Sequence, residues 1–107
     1  MGQFGTRSLS AYSGLTAINS SESVLLAVEN FNRINITIQN TSTAAALIKL
    51  RESASSTSYN FVLGADTTLK SGNGGNIKLL TWKGSLYGVT LSTGSHYLAV
   101  TEEIENT

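Results

Sequence analysis

The clearest pattern in the chain is the alternation of isoleucine with polar residues from Arg33 to Asn40. Isoleucine occupies positions 34, 36 and 38, and the turn-forming pair Thr41-Ser42 follows. A β-strand places successive side chains on opposite faces, so the pattern predicts a half-buried strand. A helix would distribute the isoleucines around its circumference. We therefore expect an all-β protein.

Short segments with the same two-residue period recur along the chain and are separated by turns rich in Asn, Ser and Gly. We expect a hairpin in the second half, closed by the two-residue turn Lys83-Gly84. The acidic segment from Glu102 to Thr107 is expected to fray. The predicted strands are Ser23–Glu29, Arg33–Gln39, Ala44–Leu50, Tyr59–Leu63, Asp66–Leu69, Ile77–Trp82, Ser85–Leu91 and His96–Thr101.

The number and spacing of these segments predict the architecture. Seven or eight short strands that follow one another every 8–12 residues or so are typical of a small sandwich or barrel. No stretch has the length or period of a crossover helix, which argues against a parallel α/β sheet. We predict an all-β fold, a single small antiparallel β-sandwich or jelly-roll-like barrel of about 7–8 strands.

The first 22 residues differ from the rest, because they are rich in Ser and Gly and their large apolar residues are scattered. We predict an extended N-terminal arm over residues 1–22 and a β-sandwich domain over residues 23–107. In this interpretation the arm wraps a neighbouring subunit, with Phe4, Leu9 and Tyr12 as its anchors. The alternative is a first strand preceded by a tail.

The composition favours a surface that docks against another protein, and it argues against a membrane-spanning protein. The formal net charge is zero and only 13% of residues are charged, while Ser, Thr, Asn and Gly make up 47 of 107 residues. The surface must therefore be mostly hydroxyl and amide, which suits contact with another protein. A sandwich whose loops happen to be polar explains the same numbers. No apolar run approaches the 18 or so residues of a membrane span, and no membrane partner is expected.

Candidate chemistry is sparse. The single histidine, His96, and the single aspartate, Asp66, could join a serine in a catalytic triad, but His96 opens a strand where an exposed residue is expected. Cysteine is absent and the glutamates are dispersed, so we expect no metal site, no cofactor and no enzyme activity. The glycine-rich stretch from Gly72 to Gly75 lacks the Lys-Ser/Thr ending of a phosphate loop and is interpreted as a flexible connection.

Two aromatic residues remain as candidates for an interaction site. Trp82 stands between Lys78 and Lys83, and Tyr87 faces it in the predicted hairpin. Zero net charge argues against nucleic acid as the partner of this cluster. Trp82 and Tyr87 could form a platform that stacks on a sugar, or they could be core residues; the leucines beside Trp82 favour the core.

Four segments together resemble a known family. They are Arg33 to Ser42, Ile48-x-Leu50, Gly84 to Val89, and Leu98-Ala99-Val100-Thr101-Glu102. Over about residues 30–103 their order resembles small virion proteins of tailed bacteriophages, of the capsid decoration (cement) type. The resemblance implies a jelly-roll-like β-sandwich that sits as a homotrimer on the outside of a phage head and clamps neighbouring coat subunits. That family has no catalytic residue to transfer.

The expected function is therefore a non-enzymatic virion structural protein that binds the outer surface of a phage head and stabilises it. Its partner would be the major capsid protein or another virion protein, with the chain itself a homo-oligomer, a trimer being favoured. Its location would be the virion, after assembly in the host cytoplasm. Deletion of residues 1–20 should abolish capsid binding and leave the fold intact. The alternative is a carbohydrate- or receptor-binding β-module of a phage tail or head fibre, in which Trp82, Tyr87 or Tyr97 stacks on a sugar.

Overall fold

The computed structural model describes residues 8–106, with side chains for residues 10–105, and it contains eight strands and no helix in that range. Five of the strands have five residues or fewer, whereas the first and the last have 11 each. The strands are β1 (Ser8–Ile18), β2 (Val24–Ala27), β3 (Arg33–Asn40), β4 (Ala46–Leu50), β5 (Phe61–Leu63), β6 (Asn76–Leu79), β7 (Leu86–Thr90) and β8 (His96–Asn106).

The strands form two four-stranded sheets in which every pairing is antiparallel. Sheet A has the order β1-β8-β3-β6, and sheet B has the order β2-β7-β4-β5. Consecutive strands therefore mostly alternate between the sheets, which is the double Greek key of an eight-stranded jelly roll. The predicted fold class, an antiparallel β-sandwich of jelly-roll type, is confirmed.

The hydrophobic core lies between the two sheets. Ile36 and Ile38 of β3 are fully buried, as the alternating pattern predicted, and Leu98 of β8 lies beside them. Sheet B contributes Ile48 and Leu86 from the opposite side. Burying each such side chain stabilises the folded state by about 1.5–3 kcal/mol. The remaining buried members of this core are Ile18, Leu26, Ala27, Ala46, Leu63 and Val100.

Residues Ser8–Ile18 belong to the sandwich. This segment is strand β1, it pairs with β8 along its whole length, and Ile18 is fully buried in the core. The predicted boundary between an arm and the domain at residue 22 is therefore wrong for the described part of the chain, where the alternative of a first strand is correct. Deleting residues 1–20 would remove an edge strand together with a core side chain, so it cannot leave the fold intact.

Three other local predictions are also corrected. The strand predicted at Asp66–Leu69 is instead part of a loop. The predicted hairpin does not exist, because β6 pairs with β3 in sheet A whereas β7 pairs with β2 and β4 in sheet B. The segment from Leu80 to Ser85 instead crosses between the sheets. A short polar segment has the same sequence pattern in a hairpin turn as in a connection between sheets. The acidic segment after Thr101 is ordered, since β8 continues to Asn106.

Arg33, at the start of β3, is a fully buried arginine. The pairing of β3 with β8 shifts register between Arg33 and Asn35, and such a β-bulge changes which residues face inward. Arg33 consequently takes a place in the interior, while Ile34, which the alternation assigned to the buried face, is only partly buried. The sequence pattern is therefore correct for Ile36 and Ile38 and wrong for the first isoleucine.

The guanidinium of Arg33 connects several parts of the molecule. Its Nε donates to Oε2 of Glu102 in β8 at 2.7 Å, which forms an ion pair. Its Nη1 donates to the carbonyl oxygens of Trp82 and Gly84, at 3.3 and 2.8 Å, in the crossing segment. Its Nη2 donates to the carbonyl of Val28 at 2.6 Å. One side chain thus joins β8, the connection after β2 and the connection after β6.

Asn40, at the other end of β3, is also fully buried, and both polar atoms of its side chain, Nδ2 and Oδ1, form hydrogen bonds. Its Nδ2 donates to the carbonyls of Ala44, Leu63 and Gly64 at 2.7–3.2 Å. Its Oδ1 accepts hydrogen bonds from the backbone and the hydroxyl of Ser42. The turn after β3 and the end of β5 are therefore held to the same amide, so β3 carries a buried polar anchor at each end.

Replacing Arg33 by Met should destabilise the protein by about 3–5 kcal/mol, because it leaves the Glu102 carboxylate unpaired and three carbonyls without their donor. Denaturant unfolding measures this loss. Glu52→Ala is the control, since Glu52 is 72% exposed and its ion pair with Lys49 is 3.6 Å long, and we expect less than about 1 kcal/mol. A loss for Arg33→Met as small as that of the control would show that the buried guanidinium does not organise this end of the sandwich.

Replacing Gly74 by Ala should destabilise the fold by about 1–3 kcal/mol, because the added Cβ would lie 1.8 Å from the carbonyl oxygen of Asn40. Gly64 is the matched control, since a Cβ there meets no atom within 4 Å. Thermal and denaturant unfolding of the two alanine variants should separate them clearly. Equal stabilities would mean that the glycine-rich segment is not packed against Asn40.

Candidate functional site

The three predicted anchors of the arm fall on β1 or before it. Phe4 lies outside the described residues. Leu9 lies in β1, although its side chain is outside the described part. Tyr12, also in β1, is 57% exposed. Tyr12 is therefore the one predicted anchor whose side chain the structure places at the surface.

Trp82 and Tyr87 do not form a common platform. Trp82 packs against the core between the sheets, its indole nitrogen donates to the Ser85 carbonyl at 3.3 Å, and the Arg51 guanidinium carbon lies 5.1 Å from its ring centroid. Tyr87 packs instead against a second cluster of Leu47, Ala54 and Val89. Because the two rings belong to different clusters, the alternative of a shared sugar platform does not hold, whereas the packing of Trp82 against the core agrees with the alternative that its neighbouring leucines favour.

That second cluster covers the outer face of sheet B. Leu47 of β4 and Val89 of β7 are directly paired, and their neighbours Ala46 and Ile48 face the core, so Leu47 and Val89 point outward. They are nevertheless only 5–6% exposed, because the connection after β4 folds over them with Ala54. The chain thus supplies its own cover for this part of sheet B.

His96 and Asp66 have separate partners. Nε2 of His96, at the start of β8, lies 2.9 Å from the Thr93 carbonyl oxygen. Asp66 accepts hydrogen bonds from Ser71 and from the backbone of Gly72 and Asn73. Among the described residues no three His, Cys, Asp or Glu side chains are grouped to hold a metal ion, and no helix there is long and apolar enough to cross a membrane.

Asp66 holds the glycine-rich connection between β5 and β6 in place. The Ser71 hydrogen bond is the largest cause of an Asp66 pKa below the ordinary value of 3.8; burial opposes this shift, and backbone hydrogen bonds from Gly72, Asn73 and Thr68 add to it. Further along, the Gly75 nitrogen donates to the Gly64 carbonyl at 2.9 Å. The stretch from Gly72 to Gly75 is therefore a connection, as interpreted from the sequence, but it is packed and hydrogen-bonded where the sequence suggested a flexible segment.

The outer face of sheet A differs from that of sheet B, because no connection within the described residues covers its mostly uncharged side chains. Since Leu98, Val100, Ile36 and Ile38 face the core, the residues between them point outward. The register aligns them in two rows that span all four strands. These rows are Leu15–Ala99–Gln39–Asn76 and Ser13–Thr101–Thr37–Lys78.

Two large side chains are exposed on this same face. Leu15 is 52% exposed and Tyr97 is 46% exposed, and the register places them diagonally on β1 and β8. The charged residues on this face lie near its margins. Lys78 is on the edge strand β6, and Glu103 is on β8, two residues beyond Thr101. We define these two rows together with Tyr97 as the outer face of sheet A. Its centre is uncharged, which suits contact with another protein surface.

A groove lies along the edge of β1 on the core side of sheet A. Tyr12, Gly14 and Thr16 point towards it from β1, and Leu26 of β2 and Val100 of β8 form its apolar part. Tyr12 has the same orientation as the buried residues of β8 and yet is exposed, because the four-residue strand β2 leaves it uncovered. The groove is therefore open at the edge of the sheet.

Sequence reasoning missed both surfaces. The polar positions of the alternating segment, Thr37 and Gln39, do indicate the outer face, because they are the residues between the buried isoleucines. Nothing in the sequence, however, shows that these two residues align with Thr101 and Ala99 of β8 or with Ser13 and Leu15 of β1. That alignment depends on long-range register.

Comparison with known proteins identifies a similar fold and no family. No model of a protein family matches the sequence, and no curated protein matches it. Among solved structures, the chain is similar to one from the structure described as "Bacillus endospore appendages form a novel family of disulfide-linked pili". The similarity has a TM-score of 0.55 and covers 100% of this chain and 96% of that chain, at 7% sequence identity. At this identity the similarity shows the fold.

The Asp66 hydrogen bonds should make stability depend on pH in the acid range. The carboxyl has a lowered pKa in the folded state, so it stabilises the fold above the ordinary Asp pKa, and this contribution is lost as pH falls through the folded-state value. Asp66→Asn should remove the dependence, whereas the exposed Glu22→Gln serves as the control. Unfolding curves between neutral pH and about pH 2.5 measure the difference, and parallel profiles for Asp66→Asn and the wild type would contradict this account.

Proposed function

We propose that the protein is a non-enzymatic structural protein that binds a large protein assembly through the outer face of sheet A. The observation that carries this proposal is the pair of rows that cross all four strands with a single charged residue, Lys78 at the margin, next to the exposed side chains of Leu15 and Tyr97. On sheet B the central outward residues Leu47 and Val89 are instead covered by the chain itself, and only Leu25 and Val62 of the short edge strands stay exposed there among the large apolar side chains of the described residues.

Each contact of this kind is weak, so binding depends on many copies that act together. Short Ala, Ser and Thr side chains let a flat partner approach closely, and few charges have to lose their water. A contact through eight outward residues and Tyr97 yields a modest affinity for one copy. Copies that belong to one oligomer, or that bind neighbouring sites of a lattice, strengthen each other through effective concentration. A repetitive assembly is therefore the partner that suits this face best.

The assembly that we propose is the head of a tailed bacteriophage, with the major capsid protein as the partner and the virion surface as the location. Support comes from the resemblance of residues 30–103 to capsid decoration proteins. That resemblance implies a jelly-roll-like sandwich, and the fold has this topology. Residues 1–7, which precede β1 and include Phe4, are proposed as a further contact with the capsid.

A second candidate is a subunit of a pilus-like fibre. It is favoured by the similarity to a chain of the Bacillus endospore appendages over the full length of this sequence. Those appendages are described as disulfide-linked, whereas these 107 residues contain no cysteine, so a fibre of this chain would be held by non-covalent contacts. Electron microscopy of the purified protein distinguishes the candidates, because a fibre subunit forms filaments in the absence of capsids.

The sugar-binding alternative loses two of its three aromatic candidates. Trp82 is packed against the core beneath Arg51, and Tyr87 is packed against the cover of sheet B. Tyr97 is the remaining exposed ring, on the outer face of sheet A. A glycan array would detect binding at this ring. A glycan signal that disappears with Tyr97→Ala would favour this alternative over the capsid.

The proposal predicts that Thr101→Arg weakens binding to empty heads of the encoding phage by at least about tenfold, since it places a long charged side chain at the centre of the outer face. Co-sedimentation of purified protein with heads measures the change. Thr93→Arg, in the exposed turn before β8, is the control and should bind like the wild type.

Deletion of residues 1–7 tests the second contact and keeps all eight strands. We expect weaker binding with unchanged thermal stability. If the wild type fails to bind heads, the capsid proposal is wrong, and if Thr101→Arg binds as well as Thr93→Arg, the outer face of sheet A is not the contact.

A further inference from the structure

Strand β1 pairs with β8 on one side, and its other side forms an edge of sheet A. This edge lacks the features with which sheets normally avoid pairing with other molecules. Exposed edges are usually short, bulged, or marked by Lys or Pro. The other three edge strands follow this rule: β5 has three residues, β2 is interrupted by a register shift, and β6 carries Lys78. Strand β1 has 11 residues, no charged residue and no proline, and it pairs with β8 without any register shift.

We propose that the β1 edge is the contact between two copies of this chain. The two β1 strands would pair antiparallel about a two-fold axis at Ser13, which joins both copies of sheet A into one continuous eight-stranded sheet. The segment from Ala11 to Leu15 forms the centre of this contact. Such an interface is isologous, because each copy contributes the same strand.

The lengths of the edge strands favour a second β1 as the occupant. An edge of 11 residues is matched along its length only by a strand of similar size, and the other edge strands of the described residues have four residues or fewer. Charge favours the antiparallel direction. Glu103 and Glu105 of β8 lie beside Ala11 and Leu9, so a parallel pairing would bring these acidic residues of the two copies together, whereas an antiparallel pairing about Ser13 places them towards opposite ends of the contact.

The side chains select the register. With the axis at Ser13, Tyr12 of one copy lies opposite Gly14 of the other, and Ala11 lies opposite Leu15. A Cβ at Gly14 meets no atom within 4 Å, so the space above this residue is open to the aromatic ring. Tyr12 and Gly14 both line the groove at the β1 edge. The ring from the second copy therefore enters the groove towards Leu26 and Val100, and an aromatic ring across from an edge glycine is a favourable cross-strand pair.

Tyr12 and Leu15 are both more than half exposed in the single chain. In the pair, Tyr12 is covered on the core side of the sheet, and Leu15 packs beside Ala11 on the outer side. One contact thus accounts for an uncovered aromatic ring, an unprotected edge and an open groove. Ser13 and Leu15 also belong to the outer face of sheet A, but the edge of β1 and the groove that carry this inference are not part of the proposed capsid contact.

Cysteine cross-linking tests the contact directly, because the chain contains no cysteine of its own. Directly opposed residues of antiparallel strands have Cα atoms about 4.5–5.5 Å apart, which a disulfide can span. Ser13→Cys should give a covalent dimer rapidly on mild oxidation, whereas Ser95→Cys, in an exposed turn, should not. Ala11→Cys and Leu15→Cys should cross-link with each other when mixed and hardly at all alone, which fixes the register.

Light scattering on the wild type provides the second test, and it should give twice the 11.3 kDa mass of one chain. Ser13→Lys places two like charges opposite each other at the axis and should weaken the dimer by at least about fivefold, with an unchanged circular dichroism spectrum. Ser13→Thr should keep the dimer. A monomer or a trimer in solution, a dimer that Ser13→Lys does not weaken, or equal cross-linking of Ser13→Cys and Ser95→Cys would overturn the inference.

Discussion

The buried guanidinium of Arg33 is the interaction on which the arrangement of the sandwich depends. A jelly roll must bring together connections that are far apart in sequence, and Arg33 binds the carbonyls of Val28, Trp82 and Gly84 together with the carboxylate of Glu102. A buried charge is costly unless it is paired and hydrogen-bonded, so the interior accepts this side chain only when all of these segments are in place. The guanidinium therefore selects one arrangement of the connections.

Strand β3 carries this constraint because it lies inside sheet A and has a polar anchor at both ends. The core residues Ile36 and Ile38 supply apolar burial, while Arg33 and Asn40 fix where the chain enters and leaves the sheet. Apolar contacts have little directional preference, whereas hydrogen bonds to named carbonyls do. The combination gives β3 both its stability and its register with β8.

The two sheets have different surfaces as a result of the connections. The outer side of sheet B is partly covered by the segment that contains Ala54, so its apolar residues Leu47 and Val89 are buried within the chain. Sheet A has no such cover within the described residues, and its long outer strand β1 leaves an edge, a groove and a mostly uncharged face at the surface. The proposed contacts with a lattice and with a second copy both follow from this asymmetry.

The sequence alone determined the all-β class, the position of most strands and the burial of Ile36 and Ile38, because a two-residue period is a local property of the backbone. It also indicated that the polar positions Thr37 and Gln39 face outward. The tertiary structure alone decided that Arg33 is buried, that Leu80 to Ser85 crosses between sheets, and that β1 is an edge strand of sheet A. These features depend on which distant strands become neighbours, and that choice is made by long-range hydrogen bonding and packing, which leave no periodic signal in the sequence.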